Sequence, residues 1–279
     1  PLKPLFKKGF EYSDCWVDDA RLVVLNAVDA AKRGAKVLTR TAVTSARREG
    51  GSWRVAGKRA DGTQVSVLAK GLVNAAGPWV EDVIARVAGQ NSRRKVRLVK
   101  GSHIIMRKFW QGPQAYLLQN HDKRVIFVNP YEDDLCLIGT TDIPYEGRAE
   151  DVAIDEEEID YLLQAVNRYA RVPLARDSIV ASFSGVRPLY DDNSANPSAV
   201  TRDYVFDLEG EPPLLSVFGG KITTYRKLAE HALIKLKPHF PAMGGSWTAG
   251  SALPGGDMPE SDFDGFLLKF RRRHSWMPE

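Results

Sequence analysis

The run Ser216-Val217-Phe218-Gly219-Gly220-Lys221-Ile222-Thr223-Thr224-Tyr225-Arg226 narrows the folds open to this chain more than any other stretch. An apolar strand enters two consecutive glycines, then a lysine, a threonine pair and a helix. Such a junction turns backbone N–H groups and one positive charge toward whatever binds at the helix N-terminus. A nucleotide-phosphate loop of the Gly-x-x-x-x-Gly-Lys-Ser/Thr type is excluded by spacing. Leu215 stands where the first glycine belongs, and Ile222 where the hydroxyl residue belongs. An ordinary strand-to-helix turn with a solvated lysine stays open.

The chain has 279 residues, room for one large domain or two of roughly 100–200 residues. At 43% hydrophobic it can bury a sizeable core; 27% charged residues and a net charge of +4 describe a mildly basic surface. That charge permits acidic membranes, nucleic acid or anionic substrates and selects none. The clusters Arg93-Arg94-Lys95 and Arg271-Arg272-Arg273 lack interleaved aromatics and any nucleic-acid module, so they read as solvated surface and no nucleic-acid partner is expected. Cys15 and Cys136 are too few for a disulfide framework or a zinc site and are expected to be reduced, in apolar surroundings. No apolar run approaches the ~20 residues of a membrane span. The start, Pro1-Leu2-Lys3-Pro4-Leu5-Phe6, has neither Met nor signal-peptide anatomy and reads as the edge of an excised piece.

The pattern predicts a helix from Asp18 to Gly34, capped by Asp18, then a short strand over Lys36 to Arg40. Alternating runs 41–48, 51–60 and 63–70 meet at an Asp61-Gly62 hairpin signal. An apolar strand then ends in Asn74-Ala75-Ala76-Gly77-Pro78-Trp79 and enters a helix from Val80 to Ala88. From Arg93 onward the texture changes. Strands are expected at 96–106, 116–119, 125–130, 135–140, 180–186 and 201–208, with a helix opened by Asp155-Glu156-Glu157-Glu158. The last strand, 212–220, feeds a helix from Thr223 to Leu236, and Phe263 to Arg273 begins a helix with nothing obvious to pack on.

The fold class is therefore mixed, α/β and α+β. A discontinuous layered domain is built from 1–91 and 211–245. An antiparallel-sheet domain, 92–210, is inserted into it, and 246–279 form a linker and the start of another element.

Four constellations can carry chemistry. Small residues at Ala76 and Gly77, before Trp79, allow close backbone approach to a flat or phosphorylated ligand, or simply make a tight turn. Lys100-Gly101-Ser102-His103 puts one histidine on an apolar strand, either a satisfied core residue or a general base near neutral pH. Arg187, before Pro188, and Arg202, at a strand start, form either surface ion pairs or a bidentate clamp on phosphate or carboxylate. The glycine pair with Lys221 is the fourth.

In order along the chain these motifs form a pattern: Tyr12-Ser13-Asp14-Cys15-Trp16, Asn74 to Trp79, Lys100 to Ile104, Ile138-Gly139-Thr140-Thr141-Asp142, Ser184 to Leu189, Thr201-Arg202-Asp203-Tyr204 and Val217 to Glu230. From about Gly9 to about Gly256 the chain resembles the bacterial aerobic FAD-dependent sn-glycerol-3-phosphate dehydrogenases, of the D-amino-acid-oxidase-like flavoprotein superfamily. The resemblance implies a partial Rossmann-like FAD domain with an inserted substrate domain built on an antiparallel sheet. It implies oxidation of glycerol 3-phosphate to dihydroxyacetone phosphate, with a hydride passing to FAD and electrons going on to a membrane quinone. Carried over motif by motif, it makes His103 the base and sets Arg187 and Arg202 at the substrate. It sets Lys221 beside the flavin, where a cation stabilises the reduced ring. Gly219, Gly220, Ile222 and Thr223, with Ala76, Gly77 and Trp79, would line the cofactor.

The family's Gly-x-Gly-x-x-Gly fingerprint for the FAD pyrophosphate does not occur in these residues. The expectation for the isolated chain is therefore a piece of the enzyme without its FAD and without activity. Two other readings stay open: a sibling flavoprotein acting on another small hydroxy acid or amine, and a non-catalytic anion-binding module. The family also implies a cytoplasmic protein, peripheral on the inner face of the membrane. Residues 1–10 and 228–240 are the segments suited to interfacial contact. An apolar face left bare by truncation invites dimerisation, so a homodimer is also left open.

Overall fold

The computed structural model describes residues 1–191 and 203–276. Two compact units make up the chain: Pro1–Tyr12, Thr44–Ala56 and Ser66–Lys221 in the first, Ser13–Val43, Gly57–Val65 and Ile222–Glu279 in the second. The insertion boundaries expected at 92 and 210 both fall inside the first unit.

In the second unit, α1 (Asp19–Lys32) starts where the sequence places it, because the Asp18 carboxylate accepts the Arg21 N–H at 2.9 Å. It buries no residue, and Val23 and Val24 are exposed. Residues 36–40 are not a strand as expected. A strand is defined by its ladder, and this run has no ladder partner among the described residues. A three-stranded sheet of order β1 (Thr41–Glu49), β2 (Ser52–Arg59) and β3 (Gln64–Ala69) follows, its second turn made at Asp61-Gly62.

The first unit holds two sheets. In the smaller, β12 (Leu214–Phe218) lies between β11 (Val205–Glu209), antiparallel, and β4 (Leu72–Asn74), parallel. All five residues of β12 are buried, as a central strand covered on both faces requires. Phe218 packs with Val80 and Ile84 from the helical segment after β4, which is α2 (Val80–Asp82) continued by a π-turn, Val83–Val87. Leu214 packs with Trp53, whose indole donates to Pro213 O at 3.0 Å.

The larger sheet is the antiparallel one. Its order is β10 (Ile179–Tyr190), β5 (Val96–Arg107), β8 (Leu135–Gly139), β7 (Val125–Tyr131) and β6 (Tyr116–Gln119), with β9 (Ile143–Tyr145) also on β5. The period of two sends Ile104 and Met106 of β5, Ile138 of β8, Ile126 and Val128 of β7 and Leu118 of β6 to one face. There they meet Leu162, Leu163, Ala165 and Val166 of α3 (Glu156–Asn167). Each such fully buried aliphatic side chain stabilises the fold by about 1.5–3 kcal/mol relative to exposure. Asp155 and Glu158 close a capping box at the start of α3. Cys136 is buried in this core, whereas Cys15 is exposed, not set in apolar surroundings; both are unbridged.

The remaining helices belong to the second unit: α4 (Tyr225–Leu236), which buries Glu230, Ala232 and Leu236, and α5 (Phe263–Arg273), which buries nothing. Among the described residues no helix is long and apolar enough to cross a membrane, and no cluster of side chains suits a metal ion.

Candidate active site

The second face of the antiparallel sheet carries His103. Its two cross-strand neighbours are Phe183 on β10 and Gly139 on β8. Phe183 stacks on the imidazole, with ring centroids 4.9 Å apart and planes 15° from parallel. On the other side the ring lies against the bare backbone of Gly139, where an added Cβ would run into it. Glycine is needed there for space, not for an unusual φ. The imidazole Nδ1 is buried without a hydrogen-bond partner. Desolvation, with the nearby Arg187 charge adding to it, lowers the His103 pKa from 6.5 to about 4. The ring is therefore neutral at physiological pH, the form able to accept a proton.

Arg187 lies four residues beyond Phe183 on β10, so alternation returns it to the same face. Its guanidinium reaches Asp142 Oδ1 at 3.2 Å, Thr140 Oγ1 at 3.0 Å and the Thr141 carbonyl at 3.5 Å. It crosses above Gly101, where a Cβ would sit 2.5 Å from Nη1. A histidine and a fixed arginine thus share one face, each housed by a glycine on a neighbouring strand.

The predicted cofactor residues gather at one edge of the small sheet. β4 and β12 are parallel, with Asn74 opposite Ser216, so Ala76-Gly77 and Gly219-Gly220 leave the sheet at the same, carboxyl end. In open α/β sheets ligands bind outside that end. Gly77, Gly219 and Gly220 all have positive φ, 55°, 75° and 110°, which only glycine adopts without strain. A Cβ on Gly219 would sit 2.8 Å from the Asp203 carbonyl and 3.3 Å from Tyr190 N, and one on Gly77 3.9 Å from Pro188 Cγ. The two strand ends therefore abut the stretch of β10 that bears Arg187.

Trp79 is 44% exposed, and its indole donates to Glu150 at 3.0 Å. Arg148 and this indole together lower the Glu150 pKa to about 2. Lys221 is exposed at the end of the first unit. Ile222 and Thr223 open the 3-10 turn that leads into α4 in the second. Arg202 lies outside the described residues. The bare strand ends suit the flat ring of a flavin, while the pyrophosphate fingerprint is not among these residues.

The family described as FAD dependent oxidoreductase (DAO) matches residues 1–226. The chain belongs to this family. It is 62% identical to D-erythritol 1-phosphate dehydrogenase of Brucella abortus, across 100% of this chain and 56% of that protein. It is 52% identical to the aerobic glycerol-3-phosphate dehydrogenase of Escherichia coli, across 100% and 56%. Among solved structures it resembles the glycerol-3-phosphate dehydrogenase from Bacillus halodurans complexed with FAD, with a TM-score of 0.76, 29% identity, and coverage of 92% and 50%. The chain spans about half the length of the curated relatives it matches. The family resemblance, the mixed fold with its antiparallel sheet and FAD as the family's cofactor thus agree with the sequence expectation.

Gly101, Gly139 and Asp142 stand within the motifs of the resemblance, yet residue pattern alone gives neither them nor Phe183 a role at this site. Gly101 and Gly139 look like any strand glycine. Phe183 looks like a core residue, and Asp142 like a turn residue. Only the register of β10, β5 and β8 gives them their places around His103 and Arg187.

Proposed function

We propose that the chain is the substrate-handling part of an FAD-dependent dehydrogenase of short polyol phosphates. Such an enzyme oxidises a secondary alcohol to a ketone. The observation that carries this reading is the neutral, partnerless His103 imidazole on the same sheet face as the anchored Arg187 guanidinium. FAD, when bound, supplies the hydride acceptor; Gly219, Gly220, Ala76 and Gly77 would hold its ring end, with Lys221, Ile222, Thr223 and Trp79 along it.

His103 takes the hydroxyl proton at Nδ1. Phe183 and Gly139 fix the plane of its ring, so the base needs no reorientation. Arg187, held by Asp142 and Thr140, binds the phosphate of the substrate, and Arg202 is assigned to the same phosphate. A guanidinium suits a phosphate because its planar fork donates two parallel hydrogen bonds.

Glycerol 3-phosphate is the substrate favoured by the motif resemblance. D-Erythritol 1-phosphate is a second reading, favoured by 62% identity to the dehydrogenase named for it against 52% to the glycerol-3-phosphate enzyme. Both present a secondary hydroxyl near a phosphate monoester. Electron delivery to a membrane quinone, residence on the inner face of the cytoplasmic membrane and the 92–210 insertion as a folding unit belong to the same proposal, supported by the family resemblance.

The test is anaerobic flavin reduction in the full-length, FAD-loaded protein with each phosphate. Bleaching is expected with one or both, and the faster substrate decides chain length. His103→Asn should slow it by about 10²–10⁴-fold, the usual range for a general base, with substrate affinity little changed. Absence of bleaching by either phosphate overturns the reading.

A further inference from the structure

On the α3 side of the sheet, against the Ser102 that precedes His103, sits Glu158, 2% exposed. Its Oε2 faces the Lys100 ammonium at 2.8 Å and the Asp155 N–H at 3.1 Å. Those contacts already account for a buried carboxylate at a helix start. Its Oε1 does something else. It accepts the Ser102 hydroxyl at 2.8 Å and the Thr141 hydroxyl at 2.6 Å.

The Thr141 oxygen accepts the Ser102 N–H at 2.9 Å in turn. Ser184 Oγ lies 2.7 Å from Ser102 Oγ. Because the Ser102 proton goes to Glu158, Ser184 must be the donor in that pair. Every hydrogen in the chain of hydroxyls therefore points, step by step, toward one carboxylate oxygen, an arrangement in which the bonds polarise one another.

The sequence neighbours of those three hydroxyls are the site itself. Ser102 precedes His103, Thr141 precedes Asp142, and Ser184 follows Phe183. One oxygen thus ties together the strand bearing the base, the strand bearing its stacking ring and the segment bearing the partner of Arg187. We propose that Glu158 is a positioning residue for the His103–Arg187 site, acting through the hydroxyls of Ser102, Thr141 and Ser184. The geometry stands by itself; its catalytic meaning rests on the polyol-phosphate reading.

Thr141 offers the cleanest test, since valine replaces its hydroxyl by a methyl while serine keeps the hydroxyl and loses the methyl. Both variants are made in the full-length, FAD-loaded protein. If the hydroxyl positions the site, Thr141→Val lowers kcat for the polyol phosphate at least tenfold at unchanged flavin content, and Thr141→Ser stays within threefold of wild type.

The second readout needs no substrate. In histidine-labelled protein, NMR follows the His103 ring protons, shifted by the stacked Phe183, and their titration, expected at about 4. The charges facing that ring are Arg187 from β10 and, behind it, Asp142 from the β8–β9 connection; Gly139 of β8 adds none. Thr141→Val should lose part of the ring shift and move the midpoint up toward 6.5, while Thr141→Ser keeps both.

A Thr141→Val protein with wild-type His103 shifts and titration overturns the proposal. So does a Thr141→Ser protein as impaired as Thr141→Val, since volume would then be what matters. If the NMR arms diverge as expected but neither phosphate reduces the flavin in wild type, positioning by the hydroxyl network on Glu158 holds and the functional reading fails.

Discussion

The two faces of the antiparallel sheet use the same strands to opposite ends. β5 sends Lys100, Ser102 and Ile104 toward α3 and Gly101 and His103 away from it. On the α3 side polar groups are matched: Lys100 to Asp155 and Glu158, and Glu158 to two hydroxyls. On the other side Nδ1 of His103 has no partner, and Phe183 is 47% exposed. A buried charge that has its partners holds strands and helix in one arrangement. On the proposed reading, the buried nitrogen without one is the group left for the substrate.

The largest effect should come from breaking the matched side. Lys100→Met leaves the Glu158 carboxylate buried without its cation. Removing one partner of a buried pair typically costs about 3–5 kcal/mol. The midpoint of urea unfolding should fall accordingly, with its slope unchanged. Adding Glu158→Gln to Lys100→Met should restore part of the loss, because the one charge then left without its lysine, Asp155, is half exposed. A single variant within about 1 kcal/mol of wild type would erase the distinction between the faces, since a loss that small is ordinary for a surface substitution.

The faces should also part company on the pH axis. On the matched side, burial opposes the Lys100 charge, yet hydrogen bonds and attraction from Asp155 and Glu158 outweigh it and raise its pKa above 10.5. Its stabilising contribution is complete below that value and lost only in strong alkali. The Asp155 pKa is lowered, first by Lys100 and then by the Glu158 N–H, so its contribution is lost only in acid below 3.8.

His103 behaves differently. Its pKa falls from 6.5 to about 4 on folding, so between those values the unfolded chain binds the proton and the folded chain does not. Stability is complete above 6.5, declines as pH drops through the window and levels off below about 4. The whole effect is at most about 3.5 kcal/mol. Unfolding free energies of wild type and His103→Phe across that window should differ in slope; equal slopes would mean the imidazole is not held neutral by the fold. Catalysis should follow the same group, insensitive to it near neutrality and failing as pH approaches 4.

Much of this frame was readable from residue order. The expected strands at 116–119 and 125–130 and the helix opened by Asp155 reappear as β6, β7 and α3 within a residue or two, because period-two burial and a capping box are local signals. The expected strand at 36–40 failed because a strand depends on a neighbour that its own residues do not encode. His103 and Arg187 could be picked as candidates from residue type and context. Their meeting on one face could not, since it depends on the β10–β5 register across some eighty residues. Glu158 read only as an acidic residue in a helix's first turn. That its second oxygen faces the underside of the site follows from tertiary packing alone.

The finest test of the open face uses its glycines. Gly139, Gly101 and Gly185 all lie on the three strands around His103, yet they differ in what a methyl would meet. At Gly139 it collides with the imidazole ring, held from its far side by Phe183, so the proposed base must move and kcat should suffer most. At Gly101 it meets the Arg187 guanidinium at 2.5 Å and Thr140 Oγ1 at 2.7 Å, both on side chains that can shift. Gly101→Ala should therefore act on substrate binding, raising KM about tenfold, or ~1.4 kcal/mol. At Gly185, paired directly across from Gly101, nothing lies within 4 Å and φ is not positive. Gly185→Ala should stay within about 0.5 kcal/mol of wild type in stability and in both kinetic constants. The graded order Gly139, Gly101, Gly185 is what distinguishes a face shaped around two reactive side chains from one that merely contains glycine. If Gly185→Ala proved as damaging as Gly139→Ala, strand propensity and not the shape of the site would be setting the response.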